Sequence, residues 1–341
     1  MSDNQNKTRL FRRRQGFLLA LFATLLAFFV VVLGAYTRLT DAGLGCPDWP
    51  GCYGQMIIAK NAHKANPLIN LTKAWTEMTH RYVAGLLGMV IFALTILAIR
   101  NRRYPEQPVA LPITLATLVV IQALLGMWTV TLKLFPLVVM AHLLGGFSTL
   151  ALLWWLTLKL KPVQLPNTID TDSLKGLRFW AFLGLVVLVL QLFLGGWTSA
   201  NYAALVCLDF PYCQGKLFPD FDFFRAFNLT GAGVVGSIGE PLDNGARMTI
   251  HMIHRVGALI TALVIGWLAF HIFARARSVA IRVISVIITV LLTIQILLGV
   301  TNVLAVLPLP IAIAHNAVAA LLLLALVTLN YYLHSHPRHR R

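Results

Sequence analysis

The residues in this sequence best suited to chemistry are four histidines: His80, His142, His254 and His315. Each lies inside or at the edge of an apolar run. They form two matched pairs, with His80 and His254 separated by 174 positions and His142 and His315 by 173. An imidazole is rare and costly inside a bilayer, so a histidine placed there is a functional site by default. Two duplicated pairs predict two buried bis-imidazole sites, whose natural occupant is haem iron. The plainer reading is that each ring merely hydrogen-bonds a neighbouring helix, and the duplication weighs against it. Zinc is disfavoured because each half offers too few converging Cys or His ligands within the membrane.

The two halves differ beside these histidines. Glu77 stands three residues before His80, and His251 stands three before His254. That interval is about one helical turn, so each pair shares a face. A carboxylate facing an oxidisable carbon can take up protons or hold water. It can equally support a ligand or sit in interfacial water at a helix start. Arg81 and Arg255 follow the first histidine of each pair and are candidates for bidentate contact with porphyrin propionates. Gly85, Gly88, Gly145 and Gly146 offer small surfaces near His80 and His142, where a large ring needs room.

Four cysteines form two pairs of equal spacing, Cys46/Cys52 and Cys207/Cys213. Both pairs fall in loops read as extracytoplasmic, where disulfides are permitted. A structural bridge closing each short loop is the main reading. A thiol pair exchanging electrons with a nearby haem is the alternative for Cys46 and Cys52. Metal capture would need more soft ligands than these loops show.

The elements that must position these residues are membrane helices. The chain of 341 residues is 58% hydrophobic and 12% charged, and its mean hydropathy is +0.76. Apolar runs long enough to cross a bilayer are expected near 17–35, 77–99, 109–131, 137–158, 178–198, 249–272, 280–304 and 309–332. The fold class is therefore an all-α integral membrane protein with eight transmembrane helices. The first run follows arginines as a signal peptide would, but no clear small-x-small site follows it and it has a counterpart in the fifth run, so it is read as a retained span.

The net charge of +16 does not indicate nucleic acid, because its distribution follows topology. With the N-terminus cytoplasmic, 18 of the 28 lysines and arginines fall in inner segments, and the outer loops hold eight of the 12 acids. That is the positive-inside pattern: both termini are cytoplasmic and the histidines lie near the outer face. The tail histidines His334, His336 and His339 lie among arginines and read as a solvated basic end.

Internal repetition organises the helices. Val32-Leu33-Gly34-Ala35-Tyr36-Thr37 parallels Phe193-Leu194-Gly195-Gly196-Trp197-Thr198 at an offset of 161, as do the cysteine pairs. Gln122-Ala123-Leu124-Leu125-Gly126 parallels Gln295-Ile296-Leu297-Leu298-Gly299 at 173. These motifs read as helix-packing features, with Gln122, Gln191 and Gln295 bonding across helices. The offset lengthens inside the second outer loop, through the Gly-rich stretch Gly231–Gly239. Four spans per repeat return the chain to its starting side, so the halves are parallel repeats. Two four-helix bundles are predicted, 1–160 and 161–341, joined by the basic segment 159–178.

The combination resembles one known family. Glu-x-x-His-Arg at 77–81, His-x-x-His-Arg at 251–255, the Ala-His elements at 142 and 315, and Thr37-Arg38-Leu39-Thr40-Asp41-Ala42-Gly43-Leu44-Gly45-Cys46 look like haem A synthase, across essentially the whole chain. The resemblance implies a membrane oxidoreductase that converts the C8 methyl of haem O to the formyl of haem A, with water supplying the oxygen. It implies that His80 and His142 hold the substrate haem, that His254 and His315 ligate a resident haem b, and that Glu77 is catalytic. It matches Cys46–Cys52 to an extracytoplasmic disulfide. It further implies the plasma (inner) membrane, possible assembly with haem O synthase and cytochrome oxidase, and a possible homo-oligomer. Two rivals come from other classes. A di-haem b-type electron carrier fits four ligands equally well but leaves Glu77 unexplained. A transporter suits parallel repeats, but no broken helix or charged pathway is visible.

Overall fold

The structure is a computed structural model and describes residues 2–58, 70–104, 107–161, 174–228 and 242–334. The Gly-rich stretch Gly231–Gly239, most of segment 159–178, and His336 and His339 lie outside these residues. Among the described residues there is no strand, and eight helices are long and apolar enough to cross a membrane. They are α1 (Ser2–Leu39), α2 (Leu71–Arg100), α3 (Ala110–Thr131), α4 (Pro136–Leu160), α5 (Arg178–Ala200), α6 (Asn244–Arg275), α7 (Val279–Leu304) and α8 (Leu309–His334).

All eight expected spans are present. α2 and α6 begin earlier than the apolar runs near 77 and 249 because polar side chains cap them upstream. Asn70 accepts from the Lys73 amide (3.1 Å) and Asp243 from the Ala246 amide (2.8 Å), each satisfying a helix-start donor. Glu77 and His80 therefore sit in the second and third turns of α2 rather than at its first residue.

Within the first half, contacts run from α1 to α2, α2 to α3, α3 to α4 and back from α4 to α1. The second half repeats this circuit with α5 to α8, and the halves meet through α1 with α8, α4 with α8 and α4 with α5. The core where they meet includes Leu150, Leu153, Leu156, Leu268, Leu326 and Leu329.

Lipid is as apolar as leucine, so close fit and interhelical hydrogen bonds hold such helices together. Thr95 on α2 donates to the Pro112 carbonyl of α3 (2.9 Å), and Ser285 on α7 donates to the Ala269 carbonyl of α6 (2.6 Å). These bonds join equivalent seams with donor and acceptor exchanged between the helices. The turns after α3 and α7 also match, with Lys133 and Leu134, and Val306 and Leu307, all at positive φ.

Candidate functional site

His80 on α2 and His142 on α4 face each other, with ring centroids 6.5 Å apart and planes 82° apart. An imidazole nitrogen binds a metal at about 2.0–2.1 Å, and its ring centre lies about 1 Å behind, so two rings facing one metal have centres about 6 Å apart. The observed spacing fits a metal between them. The Nδ1 atoms of His80, His142 and His315 are buried without a hydrogen-bond partner, although buried polar groups ordinarily have one. Among the described residues no cluster of three or more His, Cys, Asp or Glu gathers. Two protein ligands per site suit an iron whose other positions are filled by a porphyrin.

Each histidine rests on a glycine of the preceding helix. A Cβ added to Gly34 on α1 would stand 3.1 Å from His80 Cε1, and one on Gly126 of α3 3.3 Å from His142 Cε1. The second half repeats this at 3.1 Å for Gly195 against His254 and 3.1 Å for Gly299 against His315. Any side chain at these positions would push on the imidazole. All four glycines stand in the repeated motifs, where the sequence pattern suggests packing but does not reveal what packs. Of the glycines expected to make room, Gly85 and Gly146 face open space, whereas Gly145 lies under Gln122 and Gly88 against Val119.

Gln191 and Gln295 bond across helices as expected. Gln191 Nε2 lies 2.9 Å from His254 Nδ1 and donates to the His254 carbonyl (3.1 Å); Gln295 Nε2 lies 3.2 Å from His315 Nε2. Gln122 Nε2 is buried without a partner. The position equivalent to Gln191 in α1 is Val30, so His80 has no such neighbour.

Glu77 is buried at 5% exposure, and both its oxygens are engaged. Oε2 accepts the Cys46 amide (2.8 Å) and Oε1 accepts from Arg81. Arg81 Nη1 also donates to the carbonyls of Asp48 (2.9 Å) and Gly51 (2.6 Å). Carboxylate and guanidinium together fasten the Cys46–Cys52 loop to α2, one turn from His80. The cysteines are bridged, Cα–Cα 4.8 Å, as are Cys207 and Cys213 at 4.7 Å.

The second loop is held in the same way. Arg255 donates to the Tyr212 (2.8 Å) and Cys207 (3.1 Å) carbonyls, and His251 Nδ1 lies 2.9 Å from the Ala203 carbonyl. Inside each loop one aspartate closes the turn: Asp48 accepts the Tyr53 and Gly54 amides, and Asp209 those of Gln214 and Gly215. The Gly215 amide, with that of Gln214, holds the Asp209 carboxyl below the usual carboxylate range. The sequence places both arginines beside the ligands, but their terminal nitrogens are directed to loop carbonyls and, for Arg81 Nη2, to Glu77.

Comparison with known proteins identifies the family. A family profile described as cytochrome oxidase assembly protein matches residues 17–327. A haem A synthase of Shewanella oneidensis is 45% identical over 313 residues, covering 89% of this chain and 92% of the relative. Proteins of the same name from Alkalihalophilus pseudofirmus and Caulobacter vibrioides are 25% and 26% identical, each across 87% of this chain and 90% of the relative. The chain, a multi-pass membrane protein, belongs to the haem A synthase family of cytochrome oxidase assembly proteins.

Proposed function

We propose that this protein is a haem A synthase, an oxidoreductase that converts the C8 methyl of haem O to a formyl group with water as the oxygen source. The observation that carries the reading is the facing pair His80 and His142, 6.5 Å apart, one helical turn from the buried carboxylate Glu77. Methyl and water go to formyl with loss of four electrons and four protons, so the site needs a proton acceptor and an outlet for electrons.

In this reading residues 1–160 form the substrate half and His80 and His142 hold haem O. Glu77 takes up a proton or positions water at the methyl. It is tied to Arg81 and the Cys46 amide in the structure, so that role requires one of these bonds to be exchanged. Residues 161–341 form the resident half, where His254 and His315 would hold haem b. The unpartnered Nδ1 of His315 and the glycines under both rings fit such a group. When bound, haem b would supply one-electron transfer. Arg81 and Arg255 anchor loops, leaving propionate contact to donors not used there, such as the buried, unpartnered Nε of Arg255.

The orientation proposed is the plasma membrane with both termini cytoplasmic. Arg100, Arg102, Lys159, Lys175, Arg275 and Arg282 all lie at the helix ends opposite the disulfide loops, which supports it. Haem O synthase and the terminal oxidase are the proposed supplier and consumer.

Expression beside a source of haem O, followed by chromatography of the extracted porphyrins, tests the proposal. Haem A is the expected product. Bound haem without haem A would favour the electron carrier, and no haem absorbance would favour the transporter.

A further inference from the structure

Both disulfide loops carry apolar side chains at matched positions that the proposed chemistry does not use. Trp49, Met56 and Ile57 of the first loop correspond, at the offset of 161, to Phe210, Leu217 and Phe218 of the second. All six are exposed, Ile57 at 72% and Phe218 at 76%. Charge is sparse around them. Asp48 is the only acidic or basic residue of 42–57, and Asp209 and Lys216 are the only ones of 203–218. Both aspartates are turned onto amides of their own loops. Peptide groups are also paired inward: Cys52 and Gln55 exchange two backbone hydrogen bonds (2.8 and 3.1 Å), and Cys213 and Lys216 do the same (2.8 and 3.1 Å).

The spans fix the depth of these loops. Arg81 donates to the carbonyls of Asp48 and Gly51, which bracket Trp49, and Arg255 to those of Cys207 and Tyr212, which bracket Phe210. Arg81 stands 19 residues before Arg100, the last residue of α2, and Arg255 stands 20 before Arg275, the last of α6. At about 1.5 Å per residue these intervals are about 29 and about 30 Å, the thickness of a bilayer's hydrocarbon core. No Asp, Glu, Lys or Arg lies within either interval. The arginines that hold the loops therefore stand at one boundary of the hydrocarbon, and Arg100 and Arg275 at the other. The residue after each loop-holding arginine heads an exposed apolar stripe. Tyr82, Leu86, Met89, Phe92 and Ile96 form one along α2, and Val256, Ile260, Leu263, Trp267 and Phe270 another along α6, each at the spacing of a single helical face. The Tyr82 hydroxyl donates to the Met56 carbonyl, which sets Met56 and Ile57 at the head of the first stripe. The Arg255 guanidinium lies 5.7 Å from the Phe210 ring centroid, one residue from the head of the second.

We propose that both disulfide loops are interfacial anchors that enter the headgroup region of the phospholipid leaflet on their side. Trp49, Met56 and Ile57, with their counterparts Phe210, Leu217 and Phe218, are the inserting side chains. Phospholipid is the occupant because these residues continue the lipid-facing stripes at the hydrocarbon boundary, where aromatic and aliphatic side chains gain by leaving water. The nearer an irregular segment lies to hydrocarbon, the more its peptide groups need partners. The inward backbone pairs and the two aspartates supply them. The same construction in both halves suits repeats related about the membrane normal, since such an axis brings both loops to one depth. The proposal uses the depth of the loops and not the haem chemistry, so it stands apart from the roles of Glu77 and the histidines.

The test labels the full-length protein in phosphatidylcholine vesicles with two carbene reagents and locates the adducts by peptide mass spectrometry. One is a phosphatidylcholine with a diazirine near its glycerol, and the other is a water-soluble diazirine present on both sides of the bilayer. The expected result is lipid adducts on 56–57 and 217–218, with aqueous labelling there at least about fivefold below that of the denatured protein. Ile57→Asp and Phe218→Asp, both at exposed positions, should each lower lipid labelling of their own loop by about fivefold or more and leave the other loop unchanged. Three outcomes overturn the proposal. Full aqueous labelling without lipid adducts would place the loops in water. Low labelling by both reagents, with a cross-link between two chains at these residues, would make the loops a contact between copies of the protein. Lipid labelling that the aspartates leave unchanged would mean that the adducts do not report insertion of these side chains.

Discussion

Arg38 at the end of α1 donates to the carbonyl of Ser199 at 2.7 Å, and Ser199 is its own counterpart one repeat later, 161 positions on. At the opposite end of the helices Tyr331 donates to the Leu158 carbonyl across an interval of 173, the other repeat offset. Residues that touch their own copies lie beside a symmetry axis, and two such contacts at opposite helix ends set its direction along the helices. This supports parallel repeats related about the membrane normal. Arg38 also lies over the Tyr202 ring, 4.2 Å from its centroid. Arg38→Ala should lower stability by about 1–3 kcal/mol, read as an earlier thermal midpoint in detergent, with the haem spectrum unchanged.

The two imidazole pairs should empty independently. His254→Ala or His315→Ala should deplete haem b while haem O loading persists, and His80→Ala or His142→Ala should do the reverse. Extraction and chromatography of each variant provide the measurement. Unchanged haem b in His254→Ala would remove that residue from ligation.

The glycines under the rings give a subtler version of the same test. Gly34→Val should displace His80 and weaken the first site alone, and Gly195→Val should act on His254 and the second site alone. Overpacking of this kind typically costs about 1–3 kcal/mol. Visible spectra of the two variants check it, since a moved ligand alters the absorbance of the bound iron.

Glu77 joins a structural and a chemical task, and two substitutions separate them. Glu77→Ala removes the acceptor of both Arg81 and the Cys46 amide, and breaking a buried ion pair costs about 3–5 kcal/mol. Glu77→Gln keeps an acceptor for the loop but cannot take up a proton. Haem A output from Glu77→Gln should fall by about 10²–10⁴-fold, the usual worth of a positioned acid–base group, with haem O still bound. Full output from Glu77→Gln would leave Glu77 as a loop fastener only.

Thiol reagents should find no reactive cysteine in the native protein and four after reduction under denaturing conditions. Replacing Cys46 and Cys52 together by Ser should destabilise the protein by about 2 kcal/mol, the value for closing so short a loop. If haem A formation survives that change while stability drops, the bridge is structural and not an electron carrier.

The eight helices were legible because apolar runs of bilayer length leave the chain few alternatives. The starts of α2 and α6 were not, because Asn70 and Asp243 cap those helices upstream of the apolar runs. The facing of His80 and His142 followed from matched depth on two spans. The glycines beneath them stood in visible motifs, yet contact between α1 and α2 depends on helix rotation, which a motif does not encode. Arg81 and Arg255 illustrate the same gap: spacing fixes where a long side chain begins but not where its terminal nitrogens go.

Glu77 and His251 perform matching mechanical tasks with opposite polarity, the carboxylate receiving a peptide N–H and the imidazole lying against a peptide oxygen. Neither residue can simply be transplanted into the other half. Histidine at 77 would have to accept from the Cys46 amide and would face Arg81 with no negative charge, and glutamate at 251 would set two anionic oxygens against a carbonyl. Each loop and the residue that holds it are thus matched as a pair, and exchanging one without the other would leave a peptide group on the wrong side of its hydrogen bond.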